Sequence, residues 1–331
     1  MKRLGSIAAV LLVFILSALA LIKVYDKGKD QKPLRYADIP EETIDWFKSL
    51  GEGLGDLISD FNPEPRPLPW DNNGDYGQDP ETGLTTLEDE YFIIYFSSAV
   101  KKKQAEKCLG LAHGAIPRME EIIGKYYYPE DMNGRKVPIY LTADIQEYTE
   151  VVTRFGAADV AGRSSGVTIS ELSPSGYYLK AIAINGKYVF DKYLESQNYM
   201  KDVLWHELTH YCFFASVNYN YAVRLPMWSY EGIAEYTGIP DRRPTFSQEH
   251  IDQMRSECNL MATHFPYVFE VYDGGHSIFC HMEDKYKLEG LKSFLKTMYS
   301  KGIPTSMQEN FSTTVQAFEA DWKANLDKFK R

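Results

Sequence analysis

Short stretches rich in β-branched and aromatic residues mark the first part of the chain, and such stretches are typical of strands. Strands are therefore predicted at 90–96, 137–141, 166–169 and 177–184. A Pro-Ser-Gly turn at 174–176 separates the last two strands. Helices are predicted between the strands at 99–125 and 144–155. This order of elements predicts a small mixed sheet.

Apolar residues at helical spacing follow the predicted sheet. In the first helical segment they are Val203, Leu204, Leu208, Tyr211, Cys212 and Ala215. A second, short helix is predicted over 228–236, because Pro226 precedes it and Gly238 follows it. A capping-box sequence at 245–248 predicts a helix to about 263, and a further helix is predicted from 272–279 onward. The expected fold class is α+β, with a mostly helical C-terminal subdomain after the sheet.

A charge-free apolar segment at 4–22 follows Lys2 and Arg3. Its 19 residues would span roughly 28 Å as a helix, close to the hydrocarbon thickness of a bilayer. Residues 1–24 are therefore interpreted as a signal-anchor or a signal peptide, with Ala-Leu-Ala at 18–20 as a cleavage site. The length of the segment favours an anchor. Basic residues are more numerous after the segment than before it, but the basic N-terminus followed by an apolar run favours export.

The next residues, 25–85, are interpreted as a linker or stalk. A short amphipathic helix at 42–61 is compatible with the sequence, but closely spaced prolines follow and cannot continue a helix or a central strand. The remaining residues, 86–331, suffice for one domain. We divide this domain into a part with the sheet and the first long helix, 86–217, and a helical part, 218–331.

Composition excludes several classes of protein. A net charge of −10 argues against a nucleic-acid partner, and the basic run at 101–103 is explained by a solvated helix face. The four cysteines are widely spaced and form no C-x-x-C motif, which excludes a Cys-rich structural zinc site. Buried free thiols are expected, with a disulfide between Cys212 and Cys280 as the alternative. The other two cysteines are Cys108 and Cys258.

The pentapeptide HELTH at 206–210 has the H-E-x-x-H pattern and lies within the first predicted long helix. Residues four apart lie on one face of a helix, so His206 and His210 can converge on one Zn²⁺. Glu207 lies to the side of that face, where its carboxylate can reach a water molecule on the metal. Two unrelated histidines on a helix are the alternative interpretation. The packed helix around the motif favours the metal site.

A third ligand is expected, because catalytic zinc usually takes three protein ligands and leaves a fourth position for water. Glu231 and Glu235 again lie four apart, on a helix face that also carries Trp228, Ile233 and Ala234. We interpret Glu231 as the zinc ligand. Glu235, one turn deeper, would accept the N–H of a ligand histidine and set its tautomer. A solvated helix face is the alternative interpretation of the two glutamates.

The HELTH motif followed by LPMWSYEGIAEY at 225–236 resembles the gluzincin metallopeptidases, the thermolysin-like clan, and among them the peptidase MA-like group. The resemblance is strong over about 200–240 and weaker over about 86–300. It implies a gluzincin-like fold and one zinc ion as cofactor. The residues to which it assigns roles are His206, His210 and Glu231 as zinc ligands, Glu207 as general base and Glu235 as the partner of a ligand histidine.

Two further roles are implied by the resemblance. In the resembled families, a tyrosine or histidine near the start of a later helix hydrogen-bonds the oxyanion formed during hydrolysis. Tyr272 is the first candidate for this role, and His276 is the second. An edge strand of the sheet binds extended substrate through its backbone in these families. We assign that role to residues 181–185, with an ordinary sheet strand as the alternative.

The predicted function is zinc-dependent hydrolysis of peptide bonds in a peptide or protein substrate. Endopeptidase action is favoured, because no motif for capture of a free N-terminus is visible. The expected location is the cell membrane, with a single span and an extracytoplasmic catalytic domain, or outside the cell if residues 1–20 are cleaved. One alternative is a membrane-tethered binding or scaffold domain that retains a zinc site, although the intact Glu207 argues against it. Another is a metal hydrolase that acts on non-protein amides.

Overall fold

The computed structural model describes residues 76–124, 135–162, 164–173, 176–191, 198–218, 225–261 and 270–331. The segment interpreted as a signal-anchor, 1–24, and the helix considered at 42–61 lie outside these residues. Across the described ranges, no helix combines the length and the apolar character needed to cross a membrane.

Six strands form one mixed sheet in the described part of the chain. They are β1 (Tyr76–Gln78), β2 (Thr85–Glu88), β3 (Phe92–Phe96), β4 (Val137–Leu141), β5 (Gly166–Ser173) and β6 (Gly176–Ile184). Their order across the sheet is β1-β2-β3-β4-β6-β5. Strand β4 runs parallel to β3 and β6, and the other neighbouring strands are antiparallel. The α+β class and the mixed sheet predicted from the sequence are confirmed.

Alternate residues of the central strands pack on opposite faces of the sheet. Ile94, Ile139 and Ile182 belong to the larger hydrophobic core on one face. Tyr95 and Tyr140 lie on the other face, where their rings stack with centroids 4.7 Å apart. Both faces are therefore covered, which explains why β3 and β4 are buried along their whole length.

Eight α-helices surround and follow the sheet in the described residues. They are α1 (Lys102–Ile122), α2 (Ile145–Arg154), α3 (Gly186–Val189), α4 (Tyr199–Ser216), α5 (Met227–Gly238), α6 (Gln248–Glu257), α7 (Gly275–Phe311) and α8 (Val315–Ala324). A π-helical turn (Glu270–Gly274) leads into α7. Helix α7 is interrupted at Lys287 and Gly302, which have φ angles of 65° and 77°. Helices α1 and α4 cover the face with the larger core, and α2 covers the other.

Two boundaries differ from those expected from the sequence. The linker was predicted over 25–85, but β1 (Tyr76–Gln78) already belongs to the sheet. This strand is exposed at all three residues and so carries no hydrophobic pattern. The helix predicted from the capping box is shorter than expected, and its N-cap is Ser247 instead of Thr245. The Ser247 hydroxyl accepts a hydrogen bond from the backbone N–H of His250 at 3.3 Å.

The cysteines and the basic run have the environments predicted for them. All four cysteines are buried and carry free thiols, so the disulfide between Cys212 and Cys280 is not formed. Burial raises the pKa of Cys108 to about 12, which keeps its thiol protonated and unreactive. The lysines at 101–103 are exposed at the N-cap and the first turn of α1.

Helix α5 approaches its neighbours closely because two of its residues are glycines. A Cβ atom added to Gly232 would lie 2.4 Å from the carbonyl carbon of Gly275 in α7. A Cβ atom added to Gly238 would lie 2.8 Å from the backbone nitrogen of His206 in α4. Helix α5 is thereby held against the backbones of both α4 and α7.

We expect Gly232→Ala to lower the free energy of unfolding by about 3 kcal/mol, since the added methyl meets backbone that can move only with its helix. The matched control is Gly110→Ala in α1. A Cβ atom there would meet nothing within 4 Å, so that change should raise stability by roughly 0.5–1 kcal/mol. Urea unfolding of both variants measures the difference. If Gly232→Ala were as stable as Gly110→Ala, the backbones of α5 and α7 would not be in close contact at Gly232.

Candidate metal centre

Two histidines one turn apart on α4 face the same point. The Nε2 atoms of His206 and His210 lie 3.0 Å apart. The opposite side of α4 is anchored in the core, where Leu204, Leu208 and Cys212 are fully buried. The side chains of both histidines are also largely buried, with 12% and 8% exposed. Packing of α4 therefore limits the rotamers of both rings.

Helix α5 brings Glu231 to the same point. Its Oε2 atom lies 3.4 Å from Nε2 of His206 and 3.2 Å from Nε2 of His210. These three side chains form the group of potential metal ligands found among the described residues. Ligand atoms about 2.0–2.1 Å from a tetrahedral zinc ion stand roughly 3.3 Å apart. The donor set and its spacing therefore fit Zn²⁺ held by two histidines and one glutamate.

The ionisation of these groups is coupled. Burial lowers the pKa of His206, but its hydrogen bonds with Glu231 and Glu235 outweigh this effect and hold the pKa well above its usual value. Burial raises the pKa of Glu231, but the charges and hydrogen bonds of His210 and His206 outweigh this effect and hold the pKa far below its usual value. Glu231 is therefore a carboxylate, which is the form that binds a metal ion.

Glu235 lies behind His206, one turn further along α5. Its Oε1 atom is 3.2 Å from Nδ1 of His206, the ring nitrogen that faces away from the ligand group. Its Oε2 atom accepts a hydrogen bond from Arg242 at 3.1 Å. Burial raises the pKa of Glu235, but the hydrogen bond and charge of His206 and the charge of Arg242 lower it below its usual value. Glu235 Oε1 thus lies within hydrogen-bonding distance of the N–H that His206 would carry on Nδ1.

Strand β5 contacts Glu207 of α4, the residue predicted to be the general base. The Thr168 hydroxyl lies 2.9 Å from Oε2 of Glu207 and 2.7 Å from its backbone carbonyl oxygen. A Cβ atom added to Gly166 would lie 3.0 Å from Cγ of Glu207. Strand and helix are therefore in direct contact at Glu207, a residue that is only 7% exposed.

The two candidates for the oxyanion donor, Tyr272 and His276, lie in different environments. Tyr272 lies in the π-helical turn before α7, with its ring centroid 6.0 Å from that of His206. Burial raises the pKa of Tyr272, and the nearby carboxylates of Glu231 and Glu207 raise it further, so its hydroxyl keeps its proton. His276 is 1% exposed and packs against the ring of Tyr236. Burial lowers the pKa of His276 to about 4. These positions favour Tyr272 over His276.

The strand assigned to substrate binding is not at the edge of the sheet. Residues 181–184 pair with β5 on one side, and residues 182–184 pair with β4 on the other. The assignment of 181–185 as an edge strand is therefore wrong. Strand β5 occupies the end of the sheet, and it is β5 that contacts Glu207. The register of two adjacent strands does not show which of them lies outermost, because strand order depends on contacts distant in sequence.

Three residues of the site were missed in the sequence. The sequence pattern places Gly166 and Thr168 in a strand but indicates no role for them, and it gives no signal for Arg242. None of them belongs to a motif with a diagnostic spacing. Thr168 lies 39 residues from Glu207, and Asp273 lies 31 residues from its partner Arg242. Only the fold brings these pairs together.

We expect Thr168→Val to lower kcat for peptide hydrolysis about 10-fold, because a hydrogen bond to a charged group contributes about 1.5–3 kcal/mol. Zinc affinity should stay unchanged, since the Thr168 hydroxyl bonds Glu207, which is not in the ligand group. Thr168→Ser keeps the hydroxyl and is the control, with activity near that of the wild type. Steady-state kinetics with a zinc titration distinguish these outcomes. Unchanged kcat in the valine variant would show that the hydroxyl does not hold the base.

Comparisons with known proteins identify no family for the chain. No family model matches it, and no curated protein sequence matches it. Similar solved structures include a mutant of a two-domain M1 zinc metallopeptidase bound to L-arginine, with a TM-score of 0.42, 11% identity, and coverage of 73% of this chain and 49% of the other.

Two further solved structures have the same degree of likeness. A two-domain M1 zinc metallopeptidase mutant bound to L-tryptophan has a TM-score of 0.41 and 11% identity, covering 76% of this chain and 50% of the other. An M1 zinc metallopeptidase mutant from Deinococcus radiodurans, bound to a Tyr-Ser-Ala substrate, has a TM-score of 0.40 and 11% identity, covering 76% and 51%. The chain spans about half the length of these proteins, and likenesses of this size do not establish its function.

Proposed function

We propose that the chain is a zinc-dependent metallopeptidase. The observation that carries this proposal is the spacing of three ligand atoms. Nε2 of His206, Nε2 of His210 and Oε2 of Glu231 are separated by 3.0, 3.2 and 3.4 Å, as the ligands of one tetrahedral zinc ion would be. Glu207 lies beside this group without belonging to it. A structural zinc site has no need of such a carboxylate, whereas a hydrolase needs a base.

Each side chain then has a distinct task in hydrolysis. Zinc held by the three ligands would lower the pKa of a bound water molecule and polarise the scissile carbonyl. Glu207 accepts the proton of the attacking water and passes it to the leaving amine. Thr168 holds the carboxylate of Glu207 in place during both transfers. The Tyr272 hydroxyl, which keeps its proton, donates a hydrogen bond to the oxyanion.

We propose that the substrate is a peptide or protein segment in extended form. Strand β5 lies at the end of the sheet and contacts Glu207, so a peptide that adds to its outer edge would pass beside the base. Backbone hydrogen bonds along this edge would bind an internal segment of a chain as well as its end. Endopeptidase action is therefore part of the proposal, and a nucleic-acid substrate is not.

The proposed location rests on the apolar segment at 4–22 alone. We propose that this segment anchors the chain in the cell membrane and that the metallopeptidase domain lies on the extracytoplasmic side. If the segment is cleaved instead, the protein is released. Carbonate extraction of membranes from cells that express the full chain tests the anchor, since an uncleaved anchor keeps the protein in the pellet. Recovery of the full-length chain in the supernatant would contradict the proposal.

The function is tested by incubation of the zinc-loaded full chain with a mixed peptide library, with and without 1,10-phenanthroline. We expect internal cleavage that the chelator stops and that added zinc restores. Zinc binding without cleavage of any peptide would contradict the proposal and favour a scaffold that retains its metal. Cleavage of amides in cell-wall material alone would favour a non-peptide hydrolase.

A further inference from the structure

Arg242 lies between two carboxylates at the back of the metal centre. Its Nη2 atom is 3.1 Å from Oε2 of Glu235 and 3.1 Å from Oδ1 of Asp273. Arg242 follows α5, which carries Glu235, whereas Asp273 lies in the π-helical turn before α7. The guanidinium therefore joins two segments that are distant in sequence.

One of these carboxylates contacts a ligand of the metal centre. Glu235 Oε1 lies 3.2 Å from Nδ1 of His206, and the side chain of Glu235 is only 13% exposed. A carboxylate this far out of water needs hydrogen-bond donors for both oxygens. His206 supplies the donor for Oε1, and Arg242 supplies the donor for Oε2.

The other carboxylate is next to the oxyanion donor. Asp273 follows Tyr272 directly, and both lie in the five-residue π-helical turn Glu270–Gly274. The ring of Tyr272 faces the ring of His206 at 6.0 Å. A hydrogen bond on Asp273 thus limits the movement of the turn that carries Tyr272.

We infer that Arg242 is a positioning residue of the metal centre, which fixes Glu235 against His206 and holds the turn of Tyr272 beside them. This inference rests on the proposed function. Arginine suits the task, because its planar guanidinium has several N–H groups in fixed directions and can bind two carboxylates at once. Both contacts use the Nη2 atom, whose two N–H groups are fixed in direction by the guanidinium plane. A lysine ammonium rotates freely on a flexible stem, so it would hold the two carboxylates less firmly.

Arg243 provides a matched control for Arg242. It is the next residue, its side chain is 55% exposed against 52% for Arg242, and it also binds one carboxylate, that of Asp284. In the described part of the chain, the hydrogen bonds of the Arg243 guanidinium go to Asp284 and not to Glu235 or Asp273. Replacement of either arginine by glutamine removes one positive charge from the same surface. Only Arg242→Gln also removes a hydrogen bond from Glu235 behind the metal centre.

We expect Arg242→Gln to raise the dissociation constant for zinc about 10-fold, as changes behind metal ligands commonly do. Arg243→Gln should leave the constant at the wild-type value. Arg243→Gln should melt at the wild-type temperature without metal, because its ion pair with Asp284 is exposed. Arg242→Gln should melt slightly lower, because the buried carboxylate of Glu235 loses a hydrogen-bond donor. Competition with a fluorescent zinc chelator measures the affinities. Arg242→Lys should give an intermediate constant.

A double-mutant cycle tests whether Arg242 acts through Glu235. In the background of Glu235→Gln, the further change Arg242→Gln should have no effect on zinc affinity, because the connection is already broken. Additive losses would overturn the inference. So would wild-type zinc affinity in Arg242→Gln, or equal losses in the variants of both arginines.

The outcomes also separate this inference from the proposed function. If the wild-type chain binds zinc and Arg242→Gln weakens that binding, but no peptide is cleaved, the positioning role stands and the peptidase function fails. If peptides are cleaved and Arg242→Gln binds zinc normally, the function stands and the positioning role fails. A wild-type chain that binds no zinc would overturn both.

Discussion

Glu207→Gln is expected to lower kcat for peptide hydrolysis about 10³-fold, because a general base contributes typically 10²–10⁴-fold. Glutamine has the shape of glutamate and can still accept the hydrogen bond of Thr168, but it cannot take a proton from water. The zinc content should remain one ion per chain, since Glu207 is not in the ligand group. Kinetics with a cleaved peptide, together with zinc analysis by atomic absorption, measure both quantities.

The control for this variant is Glu249→Gln on α6. Glu249 is exposed in the first turn of α6, so this change removes the same charge from a solvated position outside the ligand group. Its activity should equal that of the wild type. If Glu207→Gln cleaves peptides as fast as the wild type does, Glu207 is not the base and the mechanism is wrong.

Glu231→Ala is expected to abolish stable zinc binding and, with it, hydrolysis. Its Oε2 atom lies within 3.4 Å of both histidine nitrogens, so the alanine variant keeps only two of the three ligands of a catalytic zinc site. The loss of affinity should exceed the roughly 100-fold upper end found for residues behind the ligands. Isothermal titration with zinc against a competing chelator measures the loss.

Glu235→Ala is the control for Glu231→Ala. Glu235 contacts His206 from behind, so its removal should weaken zinc binding about 10–100-fold, less than the removal of Glu231. Full zinc occupancy in Glu231→Ala would exclude Glu231 as a ligand. A reversed order of the two variants would exchange the roles assigned to the two glutamates.

Local periodicity explains why most of the metal centre was predictable. His206 with His210, and Glu231 with Glu235, are pairs at a spacing of four on helices, and that spacing places both members of each pair on one face. The structure then brings α5 against α4 through the close contact of Gly238 with the backbone of His206. The sequence contained the two pairs, and the structure supplied the distance between them.

Sheet order explains where the prediction of the substrate strand was wrong. Residues 181–185 have the composition of a strand, and composition does not distinguish an edge strand from an internal one. The pairing of β6 with both β4 and β5 shows that β6 is an internal strand. The contact of Thr168 with Glu207 was unpredictable for the same reason.

The sequence by itself determined strands β3 to β6, the helices that carry the metal centre and the residue types that a zinc hydrolase needs. Those features depend on the period of a helix or strand and on the chemistry of each side chain, which are local properties. Only the tertiary structure decided that β5 lies at the edge, that Tyr272 and not His276 faces His206, and that Arg242 stands behind Glu235. These are contacts between segments far apart along the chain, and the packing of the whole core selects them.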